Sequence, residues 1–178
     1  MGRARAMAKT YENSDQLKKA LEGILTISDG NVRVLDERSL RDSLIDDLIF
    51  TAVFSSQDDT RKAARWLIRR SGAAMGILST SIMPLYEAMG RKEVSGFTVP
   101  AINIRALTYD VAQAVFRAAM RNKVGPVIFE IARSEIDYTS QRPEEYTSAV
   151  TAAAIKAGYR GPLFLQGDHF QVSAKKFA

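Results

Sequence analysis

Three short apolar runs, each ending in polar residues and separated from the next by a helical stretch, constrain this chain more than any other feature. Phe97-Thr98-Val99-Pro100-Ala101-Ile102-Asn103 is β-rich, and Pro126-Val127-Ile128-Phe129-Glu130-Ile131 is almost continuously apolar. Pro162-Leu163-Phe164-Leu165-Gln166-Gly167 leads directly into Asp168-His169. Between the first two runs a helix is expected from Thr108, with Val111, Ala112, Val115, Phe116 and Ala119 on its inner face. Another begins at Pro143, a favourable first-turn residue, with Glu144 and Glu145 at the positive end of the helix dipole; Gly158 stops it. Strand, helix, strand, helix, strand at this spacing predicts βαβ units and a parallel sheet. The expected fold class is α/β: a partial (β/α) TIM-type barrel, represented by its first three strands and preceded by a helical region. A doubly wound sheet competes, but Asn103-Ile104-Arg105-Ala106-Leu107 contains no glycine and therefore no Gly-rich phosphate turn.

Upstream the pattern differs. Residues 1–92 read as a helical region, and residues 93–178 as the first part of a barrel, truncated and so a fragment of a longer enzyme. Ser14 is expected to cap a short helix bearing Leu17, Leu21 and Leu25. Asp29-Gly30-Asn31 marks a turn, and Val32 to Leu35 reads as a brief extended segment. Asp36 caps the clearest helix, with Leu40, Leu44, Ile45, Leu48, Ile49, Ala52 and Val53 at helical spacing. Ser56 or Asp58 caps the next one. Met75, Ile77, Leu78, Ile82 and Met83 read as packing residues, and Pro84 fits the first turn of a further helix.

Composition removes several function classes. With no cysteine, disulfides and thiolate metal sites are excluded. The basic start is followed by polar residues, so a secretory signal is not expected. No apolar run reaches the roughly 18 residues of a membrane span. A cytoplasmic location without a membrane partner is the default expectation. The net charge of +5 is spread along the chain, and its densest basic cluster runs from Arg61 to Arg70. On a helix Arg61, Arg65 and Arg69 share one face, with Asp58 and Asp59 at the start. This reads as a solvated helix face, so nucleic acid is not an expected partner.

The carboxyl ends of the expected strands carry Asn103 with Arg105, Arg133 with Ser134 and Glu135, and Gln166 with Asp168 and His169. Barrel active sites are built at that end, which makes this the candidate site. His169 is the only histidine. A catalytic zinc normally has three protein ligands, so a metal site here needs donors from segments outside this sequence or from another chain. Glu130 and Glu135 could add carboxylates, although Glu130 reads as part of the strand's structural pattern. No Gly-x-Ser-x-Gly elbow is present for serine hydrolase chemistry.

Taken together, these residues resemble class II, metal-dependent ketose-bisphosphate aldolases. Phe97 to Asn103 resembles the opening strand of that family, and Pro126-Val127-Ile128-Phe129-Glu130 with Ser134-Glu135 its second strand and loop. Leu165-Gln166-Gly167-Asp168-His169 is similar to its strand-ending Asp-His pair. The resemblance covers about residues 95–178. It implies that His169 is a zinc ligand, that Asp168 transfers a proton, and that Asn103 and Ser134 lie near the bound substrate. It further implies reversible aldol cleavage of a phosphorylated ketose, of fructose- or tagatose-bisphosphate type, assisted by a divalent metal, with zinc expected. The expected partners are the phosphorylated sugar and the remainder of the barrel or another chain; a homo-oligomer is left open. Two positions depart from the family, Gly167 where a leucine usually precedes the pair and Phe170 where a small residue follows. A glycine before Asp-His is similar to the non-catalytic subunit associated with tagatose-bisphosphate aldolase. A non-catalytic aldolase-like subunit assisting a partner aldolase is therefore the alternative expectation.

Overall fold

The computed structural model of the protein describes residues 7–171. The basic start, residues 1–6, lies outside that range. Local chemistry sets the first elements. The Asn13 side chain accepts the Gln16 N–H at 2.9 Å and opens helix α1 (Ser14–Leu21) one residue before the expected cap, Ser14. Strands β1 (Leu25–Ser28) and β2 (Asn31–Val34) form an antiparallel hairpin whose turn, Asp29-Gly30, has φ values of 51° and 72°. Positive φ at both positions matches the right-handed twist of the strands. Asp36 caps α2 (Glu37–Ser39), accepting the Ser39 N–H at 3.0 Å. A π-helical stretch, Leu40–Leu44, then leads into α3 (Ile45–Phe54). The expected helix is present with a wide turn near its start.

Helix α4 (Asp58–Ala74) is not capped by Ser56 or Asp58; Gln57 holds the cap position without a side-chain bond. Asp58 instead pairs with Arg61 at 3.0 Å and Lys62 at 2.5 Å. The arginine face of this helix is turned into the fold. Arg61 donates to the Ser55 carbonyl at 2.7 Å, and Arg65 to the Ala52 carbonyl at 3.0 Å and to Glu145 at 2.9 Å. Arg69 donates to the Ser148 hydroxyl at 3.2 Å. These arginines act as staples between helices, where the charge pattern suggests a solvated face.

Strand β3 (Ile77–Thr80) and helix α5 (Met83–Gly90) follow. The chain then runs through β4 (Ala101–Asn103), α6 (Thr108–Arg121), β5 (Ile128–Ala132), α7 (Arg133–Thr139), α8 (Pro143–Ala157) and β6 (Gly161–Asp168). The protein is α/β. Strands β3, β6, β5 and β4 lie in that order in a four-stranded sheet, and each neighbouring pair is parallel. The expected strands are thus parallel neighbours in one sheet, which these four strands do not close into a barrel. Strand β4 keeps only the end of Phe97–Asn103, because Pro100 has no N–H for the ladder; its carbonyl still accepts the Ile128 N–H at 2.9 Å. The larger difference is β3, inside a stretch that reads as helical. So short a segment cannot be told from a helix by periodicity, and its partner, Gly161–Phe164 of β6, is remote in sequence.

Helix α8 is the centre of the packing. It touches α3, α4, α6, β3 and β5. Ser148–Ile155 is buried without interruption, and the small side chains of Ala149, Ala152, Ala153 and Ala154 let neighbouring helices approach. Gly158 ends the helix in the left-handed conformation, φ 79°. Lys156 donates to Asp46 of α3 at 2.8 Å, and Tyr109 of α6 donates to the same carboxylate at 2.7 Å. A common core joins Leu48 and Ile68 of the N-terminal helices to Phe129, Ile131 and Leu163 of the sheet. Among the described residues no helix is long and apolar enough to cross a membrane.

Gly72 reports on how closely α4 and α8 meet. A Cβ there would stand 2.7 Å from Thr151 Cγ2. Helix propensity favours alanine over glycine by roughly 1 kcal/mol. Thr151, however, is buried with its hydroxyl donated to the Thr147 carbonyl at 2.8 Å, so its methyl has little freedom to step aside. Gly72→Ala is expected to lower the unfolding free energy in urea by about 1–2 kcal/mol. Adding Thr151→Ser, which removes the methyl, is expected to recover most of that loss.

Candidate functional site

The site begins with register. Asn103 of β4 lies opposite Glu130 of β5, which lies opposite Gln166 of β6. Side chains alternate along a strand and in-register neighbours share a face, so these residues form one polar row across the sheet. Their immediate neighbours, Ile102, Phe129 and Leu165, form the matching apolar row and belong to or pack on the main core. The Gln166 amide donates to Glu130 Oε1. From the helical side, the Tyr146 hydroxyl of α8 donates to the Glu130 carbonyl at 2.6 Å and fixes the middle of β5. One step further along the same face, Ala132 lies opposite Asp168.

Glu135 gathers the ends of β4 and β5. It sits at the third position of α7, which starts where β5 stops, and reaches back to accept the Ala132 N–H at 2.8 Å. This is half of a capping box; an alanine at the cap cannot supply the other half. The same carboxylate accepts from Asn103 Nδ2 at 3.1 Å and from Arg105 Nε at 2.6 Å. It is only 3% exposed. Burial pushes the Glu135 carboxyl up, but the Ala132, Arg105 and Asn103 donors outweigh burial and hold it below the usual carboxylate range. Arg105 is raised in turn by its bond to Glu135.

The third strand end supplies the Asp-His pair. Asn103 Nδ2 also donates to Asp168 Oδ2 at 3.4 Å, and His169 Nδ1 lies 2.6 Å from Asp168 Oδ1. His169 has φ 53°, a left-handed conformation that turns the chain sharply at the end of the strand, and its side chain is 76% exposed. The hydrogen bond and negative charge of Asp168 raise the affinity of the imidazole for its proton.

The sequence-derived candidates divide accordingly. Asn103, Asp168 and His169 are joined in one chain of contacts with Glu135. Ser134 is exposed in the first turn of α7, at the same end of the sheet, but among the described residues it takes no part in these hydrogen bonds. Sequence reasoning missed the pairing of Glu130 with Gln166, although a single acid flanked by Phe129 and Ile131 in an alternating strand was the available signal. Reading Glu135 as a candidate carboxylate overlooked its place three residues beyond the end of β5, where a glutamate can cap a helix. Among the described residues no group of three His, Asp or Glu side chains is arranged to hold a metal ion. The carboxylates of Glu130, Glu135 and Asp168 already have partners in Gln166, Arg105 and His169. The donor set therefore does not fit a complete zinc site.

The Asp168–His169 contact has a direct test. In the native protein the His169 imidazole is expected to titrate above the ordinary value near 6.5 when followed by proton NMR. Asp168→Asn should bring the midpoint down. An unchanged midpoint would mean that the pair does not form in solution.

No protein-family model, no curated protein and no solved structure matches this chain. What the site can do follows from its own side chains.

Proposed function

We propose that this chain forms the opening strands of a class II aldolase-like (β/α) barrel enzyme. The reaction is reversible aldol cleavage of a phosphorylated ketose of fructose- or tagatose-bisphosphate type, in the cytoplasm. One observation carries the reading. Successive parallel strands bring Asn103, Glu130, Gln166 and Asp168 to one face of a sheet, with His169 beside Asp168 at its end. In a (β/α) barrel that face lines the interior and that end holds the chemistry. Strand β3 lies along β6 where the next barrel strand would pair, but its ladder stops at Phe164. On this reading β3 and that strand compete for one edge, and Leu165–Asp168 is the part of β6 left open.

The chain's own residues have distinct tasks. Asp168 takes a proton from the substrate hydroxyl at the bond that breaks and returns it in the reverse direction. Asn103 orients that carboxylate through its amide. On this reading Ser134, exposed at the start of α7, meets polar groups of the sugar. His169 would hold a divalent metal through one nitrogen, with zinc expected; such an ion would supply positive charge that polarises the substrate carbonyl. The remaining donors belong to the rest of the barrel or to another chain.

A second reading, a non-catalytic aldolase-like subunit that assists a partner aldolase, is favoured by the surroundings of Gly167. A Cβ on Gly167 would stand 2.6 Å from Cδ2 and Cε2 of Phe170. The two departures from the aldolase pattern are thus one packing unit, since the phenylalanine ring occupies the space that a leucine at 167 needs.

Kinetics on the complete protein with zinc decide between them. Asp168→Ala is expected to lower kcat for a ketose bisphosphate by about two to four orders of magnitude while metal content stays constant. His169→Ala should lose metal and turnover together. Full metal content and activity in His169→Ala would refute the aldolase reading of the pair. A native protein that binds no metal and cleaves no ketose bisphosphate, but raises the activity of a partner aldolase, would establish the second reading.

A further inference from the structure

Asn103 stands between two carboxylates. Its Nδ2 donates to Glu135 Oε2 at 3.1 Å and to Asp168 Oδ2 at 3.4 Å. The two ends of an asparagine amide have nearly the same shape, so its partners decide which way it lies. Only the NH2 end carries two hydrogens, and only that end suits two carboxylate acceptors. Glu135 is the fixed one of the two. It is buried, its Oε2 also accepts the Ala132 N–H at 2.8 Å, and its Oε1 accepts from Arg105 Nε at 2.6 Å. Asp168 lies at the last residue of its strand, beside the exposed His169.

We propose that Glu135 is a positioning residue: its buried carboxylate locks the Asn103 amide with the NH2 end toward Asp168, and so presets the acid-base carboxylate of the reaction proposed above, on which this inference rests. Helix capping alone does not account for the arrangement. Capping needs only an acceptor for the Ala132 N–H, and a glutamine supplies that equally well. Glu135 uses both oxygens, and its other two donors come from Asn103 and Arg105 at the end of β4. Without Glu135 only the 3.4 Å contact to Asp168 itself holds the amide, so nothing fixed ties it in place to position that carboxylate. A glutamine at this position keeps the acceptor shared by Ala132 and Asn103 and gives up only Arg105.

The test follows the Asn103 side-chain NH2 protons by NMR in the native protein and in the variants Glu135→Ala and Glu135→Gln, together with kcat and KM. Native Asn103 should show at least one proton exchanging with water roughly tenfold more slowly than an exposed asparagine amide, as a lasting hydrogen bond to the buried Glu135 requires. Glu135→Ala should abolish that protection and lower kcat by about 10- to 100-fold with KM within about twofold, the pattern of a misplaced reacting group. Glu135→Gln should retain both. Free exchange in the native protein overturns the proposal, as does protection that survives in folded Glu135→Ala. Should Glu135→Ala fail to fold, loss of protection in folded Glu135→Gln overturns it equally. The exchange measurement needs no substrate. If Asn103 responds as expected while the complete native protein cleaves no ketose bisphosphate, the lock stands and the aldolase reading fails.

Discussion

Strand β5 pairs with β4 through Ile128–Glu130 and with β6 through Ile128–Ala132, and both ladders are parallel. That double register is the constraint on which the site depends. Because side chains alternate, it places Phe129 and Ile131 in the core and Glu130 on the other face, level with Asn103 and Gln166. A slip of one residue in β6 would put Leu165 beside Glu130 and carry Gln166 into the apolar layer. Packing resists this slip, since Leu165 lies against the core that α8 organises. The polar row is thus held in place by the apolar row behind it.

Much of this was legible in the sequence. The helices from Thr108 and Pro143 begin where their first-turn residues indicate, and Gly158 ends the second. The strand-helix alternation after Gly96 corresponds to a parallel arrangement of β4, β5 and β6. What was not legible depends on contacts between distant segments. Ile77–Thr80 becomes a strand because Gly161–Phe164 offers it a ladder, and nothing within four residues announces that. Arg65 and Arg69 read as solvated charges until α8 provides Glu145 and Ser148 as partners. Glu135 reads as a spare carboxylate until Asn103 and Arg105 meet it from another segment. The carboxylate that joins the strand ends was therefore visible as a candidate, but not its partners.

The Asp168–His169 pair and the metal question meet at one atom. His169 Nδ1 faces Asp168, which stabilises the protonated ring, whereas a metal ligand must be unprotonated on the coordinating nitrogen. A metal at His169 would therefore use Nε2, with Asp168 holding the tautomer through Nδ1–H, or would displace Asp168 from Nδ1. The first arrangement would give the aspartate an orienting role beside the proton transfer proposed for it. The second would break the contact observed here.

Anomalous diffraction at the zinc edge, on crystals of the complete protein grown with zinc, tests the central claim most directly. A metal peak within about 2.0–2.1 Å of a His169 nitrogen, at the ends of β4, β5 and β6, is the predicted result. A fully occupied zinc elsewhere in the protein, with His169 still held only by Asp168, would contradict it.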